Sequence, residues 1–426
     1  LRRFLMTIIT LQIIVLSVAT LGMWKIWAVF SPLLGFSVGQ TAATMPAILL
    51  FLLVPAFRFT GELLEALLEQ GKAQFSRALM PCGRLAGIGM LIASGLQLNL
   101  STILAVDIVV TALCLMLAYK LLQHSLVNLR ASDGDGEIPV RTMMQFAWHM
   151  AAVDILSSAG SPGALRMVLA NTLGVAESGL FAFLQSLQRL VGRYLPGSLL
   201  RGIVRPMLVS RAFKPGGTAL VEAGAGLLLK SNLIIVAAGS VVVAVGGDYL
   251  VSWASGGKFT DAGLTLLLLF LVLAFTAQRS VIEMVMQITG HTSTLRATAL
   301  IAPAALLAIW LLAGHGLNFA VLIMAGAAAI SNAIAMAVLV RSGGGYRIDW
   351  YGILATVIPA LLVITVGVLL CSLVHPFIAT FTALVLFATV LLVTRPYSSR
   401  ELSIVERAVG LRLAKFIKVF TRERMS

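Results

Sequence analysis

Long runs of apolar residues, separated by short polar breaks, dominate the chain. About twelve such runs can be marked, near 4–29, 43–64, 79–98, 102–122, 143–165, 174–200, 227–248, 262–286, 298–314, 318–340, 351–373 and 377–394. Most approach the roughly 20 residues that an α-helix needs to cross a bilayer. Backbone polar groups have no water to bond in lipid, so each run predicts a helix that satisfies its own amides. The strict alternation of a membrane β-barrel is absent. The pattern therefore predicts an all-α polytopic membrane protein.

Composition agrees: 59% of the 426 residues are hydrophobic, 11% are charged, and mean hydropathy is +0.99. A soluble domain carries roughly a quarter charged residues. The net charge of +14 would suggest nucleic acid in a soluble protein. Here its distribution points elsewhere. With the N-terminus inside, the inner loops and ends hold Arg2, Arg3, Arg58, Lys72, Arg77, Arg84, Lys120, Arg130, Arg141, Arg205, Arg211, Lys214, Arg296, Arg341, Arg347 and every basic residue from Arg395 onward. The outer loops hold Lys25 and Lys258. This asymmetry predicts that both termini are cytoplasmic. The basic tail 395–426 is partly amphipathic and is expected to lie on the anionic inner leaflet. Cys82, Cys114 and Cys371 have no CxxC spacing, and the five histidines form no HExxH, so neither a disulfide framework nor a metal site is suggested. The absence of GxxxxGK[ST] excludes a Walker A loop, since Gly257-Lys258 is followed by Phe259.

The chain also repeats itself. GKAQFSRALMPCGRLAGIGMLIASGLQLN (71–99) aligns without a gap on GHTSTLRATALIAPAALLAIWLLAGHGLN (290–318). Gly71 matches Gly290, Arg77 matches Arg296, Gly95 matches Gly314 and Asn99 matches Asn318, at a constant offset of 219. Matches at loop-like Gly, Arg and Asn weigh more than matches among Ala and Leu. Both copies have the same orientation, so the predicted lobes are parallel repeats, with a substrate site between them. The Gly-Asp-rich loop 123–142 divides the chain. The expected organisation is an N-terminal lobe of four helices (1–122), a cytoplasmic linker (123–142), a C-terminal lobe of six helices (143–341), two extra helices (342–394) and the tail (395–426). The offset sets residue 1 opposite residue 220, so about two helices are expected to be missing from the front of the first lobe.

This organisation, six plus six spans and two more, resembles the multidrug/oligosaccharidyl-lipid/polysaccharide export superfamily with its MATE-like fold. Locally the chain is similar to the polysaccharide and O-antigen flippases of Wzx type. LLEALLEQGKAQFSRALMPCGRLAGIGM (63–90) resembles the family's fourth-to-fifth helix turn, which makes the first lobe equivalent to family helices three to six. LGVAESGLFAFLQSLQRL (173–190) and VRPMLVSR (204–211) resemble the start and end of helix eight, and GGKFTDAGLTLLLLF (256–270) the start of helix ten. SPGALRMVLAN (161–171) lacks the acidic residue often seen before the arginine there, and family helices one and two are expected to be missing. The resemblance implies a transporter of the cell inner membrane, without enzymatic chemistry or cofactor. Its partner would be an oligosaccharide on a polyprenyl pyrophosphate of undecaprenyl type, with other polysaccharide-assembly proteins alongside.

Within this frame the intramembrane charges become candidates, because a charge at mid-membrane costs roughly 2.5–3.5 kcal/mol on insertion scales. Gln185, Arg189 and Arg193 are spaced i, i+4, i+8 on the span 174–200, which Pro196 is expected to kink. Arg201 and Arg205 at its inner end are explained by snorkelling to lipid phosphates. Two readings of Arg189 and Arg193 stand: a cavity lining that holds pyrophosphate or an acidic glycan, and structural pairing with Asp154 or Glu177. Arg166 and Lys230 are further cavity candidates. Arg279 and Glu283, i and i+4, are expected to pair. Asp107 and Asp154 are the candidates for ion coupling. The alternatives are a lipid II flippase, a drug/cation antiporter of the same fold, a membrane glycan polymerase or ligase, which would need a larger outer loop, and a degenerate paralogue that does not transport.

Overall fold

A computed structural model of the chain describes residues 12, 14–22, 25, 44–67, 69–95, 99–127, 140–199, 217–341, 349–399, 401–402 and 418–421. Most of the first candidate span, the loop 128–139, Arg201, Arg205 and most of the tail lie outside the described residues. Those described are almost entirely helical, and an isolated bridge between Tyr397 and Thr421 is the only β-type pairing among them. Among the described residues, seven helical segments, 101–126, 221–254, 263–288, 292–312 (two helices joined at Leu300), 317–341, 350–371 and 376–394, are long and apolar enough to cross a membrane. The chain forms two compact units, 1–136 and 137–426.

The first unit contains α1 (Thr44–Ala66), α2 (Gln70–Ala93) and α3 (Leu100–Val127). Phe57, Leu63 and Leu64 of α1 pack with Cys114, Ala118, Leu122 and Leu126 of α3 in two small buried clusters. α2 lies on α3 through Gly83 and Gly87. A Cβ at these positions would stand 2.8 Å from Val110 Cγ1 and 2.5 Å from Val106 Cγ1. The G-x-x-x-G spacing brings both bare positions to one face, the usual route to close helix contact without a hydrophobic drive between helices. Asn99 caps α3 by accepting from the Thr102 amide at 2.9 Å.

The second unit runs α4 (Val140–Ala159), α5 (Pro162–Thr172), α6 (Val175–Arg193), α7 (Pro196–Leu199), α8 (Gly217–Ala254), α9 (Gly263–Ile288), α10 (Thr292–Ala299), α11 (Ile301–Leu312), α12 (Leu317–Arg341), α13 (Trp350–Cys371) and α14 (Pro376–Thr394). Its hub is α8, which packs on α9, α13 and α14. Leu266, Leu269, Phe270 and Leu273 fill the interior from α9. Helicity in α8 breaks at Gly246 (φ −125, ψ 17), where Thr380 Oγ1 would stand 2.3 Å from a Cβ.

Two predicted spans differ in form. The run 143–165 is not one helix: α4 stops at Ala159, and Ser161 opens α5 by accepting from the Ala164 amide at 3.3 Å, with Pro162 in the first turn. A serine cap followed by proline is a helix start, so Gly160-Ser161-Pro162 ends one helix and begins the next. The run 174–200 likewise stops at Arg193, and Pro196 starts a separate short helix rather than kinking a long one.

The sequence repeat meets the helix boundaries. Shifted by the same offset, Thr44, the first residue of α1, falls on Gly263, the first residue of α9, and Leu100 falls two residues inside α12. Within its own unit each of these pairs packs alike, α1 on α3 and α9 on α12. The glycines diverge: Gly290 turns with φ +81, whereas Gly71 is helical.

Candidate functional site

The α5–α6 hairpin carries the cations singled out above. Gly174, at φ +91, makes the tight reversal between the two helices. On α6, Phe181, Leu184, Gln185 and Gln188 are buried, the i, i+3, i+4, i+7 stripe of a helix packed on one side. Gln188 anchors that face by donating from Nε2 to the Leu269 carbonyl of α9 at 3.0 Å. Arg189 and Arg193 stand on the exposed side. Successive i+4 steps advance round the helix by about 40° each. The expected stripe therefore divides, with Gln185 turned inward at 4% exposure and the two arginines outward.

Gln185 is the meeting point of the cluster. Its side-chain Oε1 accepts from Arg166 Nη2 of α5 at 2.8 Å. Its backbone carbonyl accepts from Arg189 Nε at 3.3 Å. The Ser178 hydroxyl donates to the Arg166 carbonyl at 3.1 Å and fixes the α5 backbone beside it. The Arg166 Nε is buried and has no hydrogen-bond partner. Two guanidinium groups thus converge on one neutral residue. Among the described residues, no ion pair joins Arg166, Arg189 or Arg193 to a carboxylate, and Glu177 and Asp154 are both exposed. Arginine stays charged in any surroundings and offers a planar fork of donors, so this arrangement is suited to a multivalent oxyanion.

The remaining candidates are placed elsewhere. Lys230 is 2% exposed, and its ammonium is taken up by Asp349, Glu401 and the Pro396 carbonyl, away from the arginine cluster. Asp107, in the first unit, pairs with Arg84 Nε at 2.9 Å. Arg84, counted from the sequence as a loop anchor, lies well inside α2. Asp154 is exposed on α4 and has no ion pair among the described residues.

Sequence reasoning missed a second polar centre. Arg279 and Glu283 do pair, Nε to Oε1 at 2.7 Å. Arg279 also donates to the Ser331 carbonyl at 3.2 Å and to Thr298 Oγ1 at 2.7 Å. One fork thereby joins α9, α10 and α12 beside a cavity of about 250 Å³ lined by Val153, Leu165, Thr276 and Met324. Only a threonine and a backbone carbonyl complete this centre, and neither stands out in an apolar sequence. No group of three or more His, Cys, Asp or Glu able to hold a metal occurs among the described residues.

Compared with known proteins, the chain matches no family model, no curated protein and no solved structure.

Proposed function

We propose that this chain is a flippase for a polyprenyl-pyrophosphate-linked oligosaccharide, an O-antigen, capsule or exopolysaccharide repeat unit. The observation that carries the reading is the convergence of Arg166 and Arg189 on Gln185 without a carboxylate partner among the described residues. A pyrophosphate supplies the missing negative charge, and its oxygens match the guanidinium fork. The head group crosses through a cationic cavity as two parallel lobes alternate, while the lipid tail stays in the bilayer. About twelve spans, both termini on the cytoplasmic side of the inner membrane, and the motif resemblance complete the reading. No covalent step is needed. The energy comes from an ion gradient or from removal of product, with Asp154 the carboxylate available for coupling, since Asp107 is neutralised by Arg84.

A drug/cation antiporter of the same fold would need acidic side chains where this hairpin presents arginines. A lipid II flippase shares the pyrophosphate chemistry and is separated by its glycan.

The test is transfer of a fluorescent polyprenyl-pyrophosphate oligosaccharide across proteoliposomes. The parent protein transfers it, and Arg189→Ala/Arg193→Ala, folded normally, loses most of the rate. Equal rates would return these arginines to a structural role. Transfer of a cationic dye in place of the lipid would favour the antiporter.

A further inference from the structure

The C-terminal end of the second unit holds a buried polar cluster that transport by the arginine hairpin does not use. α14 ends at Thr394, and Arg395 adopts a left-handed conformation (φ 45) that turns the chain back. The chain then meets the side of α8 at Lys230. The Lys230 ammonium lies 2.5 Å from Asp349 Oδ2, 2.8 Å from Glu401 Oε2 and 3.2 Å from the Pro396 carbonyl oxygen. Each carboxylate also accepts from a backbone amide. Asp349 Oδ1 accepts from the Gly352 amide at 3.2 Å, and Glu401 Oε2 from the Ser398 amide at 2.7 Å. The partial positive charge of these amides adds to that of the ammonium in holding the carboxylates.

The surroundings are shaped for this contact. A Cβ at Gly226 would stand 2.9 Å from Glu401 Oε1, and one at Gly352 would stand 2.6 Å from Lys230 Cε and 2.7 Å from the Pro396 oxygen. Beside Lys230, Ser231 Oγ shares a 3.0 Å hydrogen bond with the Tyr397 hydroxyl. The Tyr397 amide donates to the Phe420 carbonyl at 3.2 Å, which seats the segment 418–421 against the same place. Pro396, Tyr397 and Glu401 are buried, so the beginning of the expected surface tail is part of the packed unit.

We propose that residues 395–399 together with Glu401 form a strap, fastened through Lys230, that binds α8, α13 and α14 into one mechanical body. Three separate stretches of chain converge on the one ammonium: α8 brings Lys230 and Ser231, the start of α13 brings Asp349, and the segment after α14 brings Pro396, Tyr397 and Glu401. Without the cation, the buried Glu401 carboxylate would lose its ion-pair partner in a dry site, so the strap opens rather than relaxing in place. With it, the polar end of the chain reinforces the apolar packing that already joins these three helices. The inference does not depend on which molecule is transported.

Hydrogen–deuterium exchange of the full chain in phospholipid nanodiscs tests it. Lys230→Met is expected to speed exchange at 396–402 and 349–353 by about a hundredfold, with α9 and α12 as protected as in the parent. Gly226→Ala keeps every charge yet displaces Glu401, and is expected to speed exchange in the same two peptides. It carries the test alone should Lys230→Met fail to fold. Unchanged protection at 396–402 in the folded variants overturns the strap. So does an equal rise through α9 and α12, which would make the cluster a support of the whole unit instead of a separable fastening.

Discussion

Arg166 and Arg189 are brought together by a neutral residue: Gln185 takes one guanidinium on its side chain at 2.8 Å and the other on its backbone carbonyl at 3.3 Å. Like charges gathered at one place on an apolar protein are stable when something else supplies the opposite sign. A structural pair would have placed a carboxylate between them, as Asp107 is placed for Arg84 and Glu283 for Arg279. The contrast between these ion pairs and the arginine hairpin, which has no ion-paired carboxylate among the described residues, underlies the functional proposal.

Gln185→Leu is nearly isosteric but removes the acceptor that holds Arg166. The arginine, whose Nε is already without a hydrogen-bond partner, loses its side-chain partner as well. Thermal unfolding in detergent is expected to show a loss of about 1–3 kcal/mol. Gln185→Glu, which supplies a carboxylate, is expected to restore stability while weakening binding of an anionic substrate.

Gly87→Val fills the closest approach of α2 to α3, where a Cβ would meet Val106 Cγ1 at 2.5 Å. Overpacking of this kind costs about 1–3 kcal/mol. Gly89, on the same helix with nothing near its would-be Cβ, provides the control: Gly89→Ala is expected to leave the melting temperature unchanged or slightly raised.

Removing the Lys230 side chain takes the cation from buried Glu401, and a broken buried pair costs about 3–5 kcal/mol. Lys230→Met/Glu401→Gln is expected to cost less than the two single changes added together, because the second change removes a charge that the first left unpaired. Denaturation of all three variants and the parent closes this cycle, and strict additivity would argue that Lys230 and Glu401 do not act on each other.

Burial pushes the Tyr397 phenol above its usual range, and the charge of Glu401 adds to the effect, against a hydrogen bond with Ser231 that lowers it. A folded-state value above the unfolded one, near ~10, means that the folded protein holds this proton more tightly. The contribution is complete below the unfolded value and is lost as pH rises through the folded one. Stability of the parent should therefore fall on the alkaline side, and Tyr397→Phe should show a shallower fall over the same window.

The helices were legible because their signal is length and hydropathy: α9, α12, α13 and α14 lie within a few residues of the runs read from the sequence. Breaks were harder. Gly160-Ser161-Pro162 is a readable helix start, yet it lies inside an apolar run whose average hides it, and this moved Arg166 from the end of one helix into another. The stripe Gln185–Arg189–Arg193 showed the correct helix but not which side is buried, since burial is decided by α5 and α9 rather than by spacing. Lys230 read as a cavity candidate because its partners, Asp349 and Glu401, lie more than a hundred residues away in sequence. Arg84 and Asp107 escaped pairing for a similar reason, each having been assigned to a different role.

The most direct measurement is the affinity of the purified chain for a polyprenyl-pyrophosphate oligosaccharide, set beside Arg166→Ala/Arg189→Ala. The account predicts that the double variant, with parental exchange protection in α9 and α12, binds weaker by about tenfold or more. It also predicts that inorganic pyrophosphate competes for binding to the parent. Equal affinity of the two proteins, with no competition, would contradict it.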